Sequence, residues 1–400
     1  MVKRLPTEHA FKLQKVSRRW ASGCLQASSE VKITQKKTKA QGIQATTMAS
    51  SMILAAEVKD HLRLGTDCSG LDAVALALQG LPIPYTHVFA SDVDPAAKAT
   101  ILLNYKVNTF YDTVVGRNAK GMDSVDLYAA GFPCQPFSLA GKKLGACDDR
   151  GGIFFELFKY LAAKTTMILF ENVTGLLTLH PAYLALIEKK LRNIGYYVEH
   201  NTMNACDHGL PHNRDRLIVL GTQRSAFAGP FDWPPAIDPL PLSSLLDKKT
   251  PEEKALDVSK IMPRSNRVRK QVAKIYNDFR KSGIEPSKTP LVIDIDSSCV
   301  HAMHGRSPCL TRTRSANGGH WLSQHDRRQS IPEHERLMGF NLKPPHGDTA
   351  PRLLWPSTIS DREKGALIGN SIALPILQRI LARNLPKCFK GIVVADPWSV

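Results

Sequence analysis

The chain has 400 residues, enough for one large domain and a smaller one, and a formal net charge of +17 at a pI near 9.5. That charge points to a polyanionic partner, most simply nucleic acid. No apolar run approaches the roughly 20 residues of a membrane-spanning helix, and the eight cysteines form no C-x-x-C pair. A membrane span, a zinc or other metal site and a disulfide scaffold are therefore not expected, and a reducing, intracellular setting is. Residues 1–58 form a tail. Up to position 50 it carries ten basic and two acidic residues among Ser, Thr, Ala and Gln, a composition that buries little and favours disorder. We expect a nuclear-import or DNA-tethering arm; an organellar address is the other reading.

The folded chain begins near residue 59. Residues 62–67 read as a strand, Cys68-Ser69-Gly70 as a turn, and 71–81 as a helix whose N-terminus and glycine can cradle a ligand. A second strand, 87–90, ends at Asp92, about twenty residues after the glycine, where an acid hydrogen-bonds ribose hydroxyls of a nucleoside. Residues 125–130 form a further strand that breaks at Gly131 and Pro133 and presents Cys134 between two prolines. Their fixed backbone aims the thiol. Phe137-Ser138, Gly141, Asp148 and Arg150-Gly151 follow, then a helix at 152–162. The apolar strand 166–170 ends in Glu171-Asn172-Val173, and a carboxyl so placed is desolvated and able to hold a proton near neutral pH. After a helix at 182–194, Arg214 and Arg216 alternate along an extended run and so share a face. Proline-rich turns then lead to a basic helix-like stretch at 268–282, which on its charge alone is a solvated face or one turned to phosphate. Residues 308–314 read as a strand with a loop behind it.

The ordered series G-F-P-C-Q-P-F-S, A-G and D-D-R-G resembles the catalytic loop of the cytosine-C5 DNA methyltransferases. E-N-V at 171–173, R-D-R at 214–216, E-H-E-R-L-M-G at 333–339 and G-N-S-I at 369–372 extend the resemblance over roughly residues 60–385 in the family's order. Two departures stand out: Asp72 and Ala73 occupy positions where the family often has glycine, and His212 stands for a usual Gln.

The resemblance implies a doubly wound, mostly parallel α/β sheet, the Rossmann-like fold of class I S-adenosylmethionine-dependent methyltransferases, with a small target-recognition domain. It divides the chain into a catalytic and cofactor domain (59–222), a target-recognition segment (223–307), a return to the catalytic domain (308–385) and a C-terminal tail (386–400). S-adenosylmethionine would lie against Cys68, Ser69, Gly70, Leu71, Asp92, Val93, Asp112, Thr113, Pro133, Asn370 and Ile372. Cys134 would add to C6 of a flipped-out cytosine, Glu171 would meet N3, and Arg216, with Arg214, would face O2 and phosphate. Gln135, Ser138, Asn172 and Val173 would line the substrate, and residues 138–145 would close over it. The implied partner is duplex DNA, the implied form a monomer. A tRNA methyltransferase of the same architecture and a catalytically silent DNA-binding regulator are the alternatives.

Overall fold

A computed structural model describes residues 60–133, 152–161, 164–248 and 265–399. The basic tail, Cys134, Gln135, Ser138 and the rest of the 138–145 loop lie outside the described residues. Seven strands form the main sheet: β1 (Leu62–Asp67), β2 (Tyr85–Ser91), β3 (Val107–Tyr111), β4 (Val125–Ala130), β5 (Thr165–Asn172), β6 (Tyr196–Asn204) and β7 (Asp215–Gln223). Their order is β3-β2-β1-β4-β5-β7-β6. β3 through β5 are parallel, and β7 enters antiparallel between β5 and β6. The fold is thus the doubly wound, mostly parallel α/β sheet. β1, β4 and β5 are buried almost throughout because helices cover both faces of the sheet.

On one face pack α1 (Ala73–Gly80), α2 (Pro95–Asn104) and the long C-terminal helix; on the other pack α3 (Ile153–Leu161), the short α4 (Gly175–Thr178) and α5 (Pro181–Asn193). Helix starts follow the local chemistry. Asp94 caps α2 through the Ala96 N–H at 3.0 Å, with Pro95 in the first turn where its missing N–H is harmless. The second face is densely aromatic, with Phe89, Tyr128, Phe154, Tyr160 and Phe170 buried together.

Beyond β7 the basic stretch forms α6 (Asn266–Lys281), followed by a four-stranded antiparallel sheet of β8 (Leu291–Asp294), β9 (His301–His304), β10 (Trp321–Leu322) and β11 (Arg327–Arg328). This sheet takes strands from both sides of residue 308, where the sequence reading drew a boundary. The strand expected at 308–314 is instead an extended approach to a short helix, α7 (Arg312–Ala316). Thr311 starts it by accepting from the Arg314 N–H, which outweighs the β-branched character of the run. Then come α8 (Ile331–Leu337), α9 (Asp361–Asn370) and α10 (Leu374–Cys388). α8 and α9 both open with a capping box, Ser330 with Glu333 and Ser360 with Glu363. The stretch after 385 is no loose tail: Phe389, Ile392 and Trp398 are buried, and Trp398 Nε1 donates to Gln378 Oε1 at 2.7 Å.

Buried histidines recur where the C-terminal third meets the sheet. Burial, then Arg379, lowers the His208 pKa to about 4; burial lowers His320 to about 4 and His334 to about 3. A histidine whose folded pKa lies below its unfolded one contributes stability above pH 6.5 or so, lost as pH falls toward 4, because the unfolded chain binds the proton first. The expected outcome is a lower urea midpoint at pH 5 than at pH 7.5, on the order of 1–2 kcal/mol per histidine. Equal midpoints at the two pH values would contradict this.

Candidate active site

One side of the candidate site, where the sequence reading expects the cofactor, forms where β1 and β2 end. Cys68 and Gly70 both have positive φ, 49° and 56°, and turn the chain sharply out of the sheet. A Cβ at Gly70 would meet nothing within 4 Å, so its strain is conformational and the space above it is open. Ser69 pins the turn to β2, its N–H donating to Ser91 O at 2.9 Å and its hydroxyl to the same oxygen at 3.0 Å. Asp92 accepts from the Gly70 N–H at 2.8 Å and from the Asp94 N–H at 2.9 Å. Burial nonetheless holds its carboxyl above the usual range, against the pull of those two N–H groups. Beside it Val93 is 77% exposed, an apolar side chain with no core to fill. An open glycine turn, an acid and an exposed apolar residue are the donor set a nucleoside needs.

Asp72, the acid at a usual glycine position, leaves that space free. It adopts φ 52°, caps α1 through the Ala75 N–H, accepts from the Thr66 hydroxyl at 2.7 Å and faces His87 at 3.3 Å. Its side chain belongs to the interior. Leu71 is core as well. Asp112 and Thr113 are exposed at the end of β3; Asp112 pairs with Lys98 at 2.8 Å and Thr113 accepts from the Val115 N–H.

Sequence reasoning missed the group beneath this turn. Asp67 is fully buried and takes both Arg117 nitrogens, at 2.7 and 2.6 Å, with the hydroxyls of Tyr128 and Ser91 each at 2.6 Å. Arg117 lies 5.3 Å from the Phe89 ring and 5.0 Å from the Tyr111 ring. The one signal was an aspartate closing an apolar strand; its partner sits in a loop of no recognisable pattern.

The catalytic side forms where β4 and β5 end. Glu171 and Asn172 are the last residues of β5 and both are buried. Asn172 Nδ2 donates to Phe132 O at 3.2 Å and so ties the approach to Cys134 onto β5; Pro133 and Val173 are half-buried nearby. Glu171 Oε1 lies 2.9 Å from Arg216 Nε, the two reaching each other across the antiparallel β5–β7 pairing. Burial raises the Glu171 pKa, and Arg216 then Arg214 pull it back only in part. The two sides meet at Gly131, where a Cβ would stand 3.7 Å from Glu171 Oε2 and 3.8 Å from Cys68 O. A cleft of about 510 Å³ between α7, α8 and α9 shares no residue with this edge.

Arg214 occupies a different role from its neighbour. It is wholly buried, and its guanidinium donates to the carbonyls of Leu310 at 2.8 Å, Gly369 at 3.1 Å and Ser371. His212 grips the same segment: its Nε2 accepts from the Leu310 N–H at 3.0 Å while Nδ1 faces Leu337 O at 3.0 Å. The ring is held neutral by burial and by both arginines, which fits that assignment. Asn370 and Ile372 follow from this clamp, exposed and half-buried at the α9–α10 junction. Both arginines also hydrogen-bond the thiol of Cys309, a residue sequence reasoning left out. Burial pushes that thiol up, but Arg214 and Arg216 outweigh it and hold it below its ordinary range.

The clamp needs close backbone approach. A Cβ at Gly369 would fall 2.5 Å from Thr311 O, a backbone atom that cannot swing aside. Gly369→Ala is therefore expected to part α9 from the 310–312 segment and cost about 2–3 kcal/mol. Arg214→Lys, which cannot reach three carbonyls, should cost a similar amount, at roughly 1.5–3 kcal/mol per charged hydrogen bond lost. Thermal melts check both; a melting temperature within one degree of the unaltered protein would contradict the clamp.

The chain is similar to known proteins in sequence and in fold. The sequence profile of the C-5 cytosine-specific DNA methylases matches residues 68–385. The type II methyltransferase M.NlaIV of Neisseria lactamica is 34% identical over 184 residues, 44% of this chain. That alignment, like the one with M.NgoBV of Neisseria gonorrhoeae, spans only 43% of the enzyme. M.BsuFI of Bacillus subtilis is 29% identical over 304 residues, 75% of this chain and 68% of that enzyme. Two solved structures share the fold. The Entamoeba histolytica methyltransferase EhMeth has a TM-score of 0.57 at 14% identity and covers 81% of this chain and 98% of its own. The S. pombe Dnmt2 methyltransferase has a TM-score of 0.54 at 21% identity and covers 80% and 97%. With residues 68–385 matched from the cofactor turn to the closing helix, the chain belongs to the C-5 cytosine-specific DNA methylase family.

Proposed function

We propose that the protein transfers a methyl group from S-adenosylmethionine to C5 of a cytosine flipped out of duplex DNA. The observation that carries this reading is the Glu171–Arg216 pair, buried at the sheet edge beside the backbone that leads into Cys134 and meeting the cofactor turn at Gly131. When bound, S-adenosylmethionine supplies an electrophilic methyl group. Gly70, Asp92 and Val93 would hold its nucleoside, with Cys68, Ser69 and Pro133 beside it and Asp112, Thr113, Asn370 and Ile372 at the rim.

The cytosine ring explains the other residue types. C5 is a poor nucleophile until the Cys134 thiolate bonds to C6, which moves the C5–C6 electron pair toward C5 and spreads negative charge onto N3 and O2. Glu171, with its raised pKa, holds a proton at N3, and Arg216 sets a fixed cation toward O2. Once C5 carries the methyl, a base takes the C5 proton, the double bond re-forms and the thiolate leaves. Asn172 and Val173 would shape the pocket, and Gln135 and Ser138 would face the vacated space. Arg214 supports Arg216 from behind rather than touching the base.

Methyl transfer from radiolabelled S-adenosylmethionine to duplex DNA and to bulk tRNA tests this reading. Label is expected at cytosine C5 in DNA, absent with Cys134→Ala and reduced on the order of 10²–10⁴-fold with Glu171→Gln. Label in tRNA alone would move the function to RNA. Cofactor binding without label in either would favour a silent DNA-binding regulator.

A further inference from the structure

The sulfur of Cys309 sits among the groups of the catalytic edge, yet the reaction above does not use it. Arg214 Nη1 donates to it at 3.6 Å, and the Arg216 guanidinium hydrogen-bonds it as well. Arg216 Nε meets Glu171 Oε1 at 2.9 Å, and its Nη1 donates to Asp215 O at 2.6 Å. Cys309 itself is half-buried and fixed along the chain on both sides. The Ser307 N–H donates to Pro211 O at 2.7 Å, and Leu310 is bonded to both His212 and Arg214. Two cations, one carboxyl and one thiol thus form a single cluster at the end of β5 and the start of β7.

The charges of this cluster do not balance well through Glu171 alone. Guanidiniums stay protonated, so Arg214 and Arg216 bring two positive charges to one sulfur. A cation within hydrogen-bond reach favours the ionised form of a carboxyl, so a Glu171 that answered both would be held as carboxylate. Holding a proton at N3 asks for the opposite. A thiolate resolves the conflict, because neighbouring cations ionise a thiol and the sulfur then carries the negative charge. Both guanidiniums do hold this thiol below its ordinary range, while the Glu171 carboxyl stays above its own. His212, bonded to Leu310, and His320, facing the Cys309 backbone, are kept neutral by burial. Asp294, 3.8 Å from His320, is answered by Arg314 at 2.8 Å.

We propose that Cys309 is a positioning residue of the active site, its sulfur serving as the shared counter-ion of Arg214 and Arg216 so that Glu171 keeps its proton for N3. The role at Glu171 rests on the methyl-transfer reading above; the counter-ion itself does not. Cys309 touches neither base nor cofactor in this scheme. It holds Arg216 in place and sets the charge that Glu171 meets.

Two readouts on the full chain test it. The first is the ultraviolet absorbance of the thiolate, taken as the difference between the unaltered protein and Cys309→Ser across the pH range, so that the other cysteines cancel. Its midpoint should lie about one pH unit or more below the ~8.5 of a free thiol. The second is the pH profile of methyl transfer to duplex DNA. Serine accepts a hydrogen bond but takes no charge, so in Cys309→Ser the Glu171 carboxyl ionises earlier. The limb that falls with rising pH should then move down by about one pH unit, and Cys309→Asp, which returns the charge, should restore it. A thiol that ionises in the ordinary range would overturn the proposal whatever the substrate. So would a Cys309→Ser protein with a lower melting temperature or kcat but an unmoved limb, the mark of a merely structural role. A thiolate at low pH without methyl transfer to DNA would overturn the DNA reading, and the role at Glu171 with it, while leaving the counter-ion in place.

Discussion

A buried guanidinium holds this molecule together where its chemistry is placed. Arg214 donates to three backbone carbonyls, of Leu310, Gly369 and Ser371, drawn from segments 96 to 157 residues away in the chain. A charge taken this far from water is tolerable only with such partners. The clamp joins the extended run at 310 and the α9–α10 junction to the start of β7, and Arg216, two residues on, meets Glu171. The position of Arg216 therefore depends on the packing behind it.

The same logic governs the cofactor turn. Its sharp exit from β1 is stabilised from below by Asp67, whose negative charge is answered by Arg117 and two hydroxyls, and from the side by Asp92, which accepts the Gly70 N–H. Asp72 satisfies itself within the interior, so an acid where a glycine is usual leaves the open space above Gly70 unfilled. Gly131 lies between the two assemblies: a Cβ there would be in van der Waals contact with both Glu171 Oε2 and Cys68 O. Burial raises the pKa of Glu171 and keeps His212 neutral as a hydrogen-bond bridge.

What could be read from the sequence was local. β1, β4 and β5 announce themselves as apolar runs ending in glycine or acid, and Asp92 and Glu171 stand out because a carboxylate at such a place needs a reason. The Glu171–Arg216 contact was out of reach, since it depends on β7 inserting antiparallel beside β5, a pairing across some fifty residues that no local pattern encodes. Arg214 was read as a companion of Arg216 at the base; its alternation is genuine, but tertiary packing closed over one guanidinium and left the other at the edge. The helix at Arg312–Ala316 was missed because a side-chain cap at Thr311 decides it, and the order of the last residues because it rests on tertiary contacts such as Trp398 with Gln378 of α10.

The proposed reaction turns on a bond between Cys134 and C6 of a cytosine held by Glu171 and Arg216. The most direct measurement offers the protein a short duplex with 5-fluorocytosine at the target position, together with S-adenosylmethionine, and weighs the product by mass spectrometry. Fluorine at C5 cannot leave as a proton does, so the account predicts a stable one-to-one protein–DNA adduct, mapped to Cys134 and absent in Cys134→Ala. Methyl transfer to ordinary duplex without any trapped adduct, or an adduct on another cysteine, would contradict it.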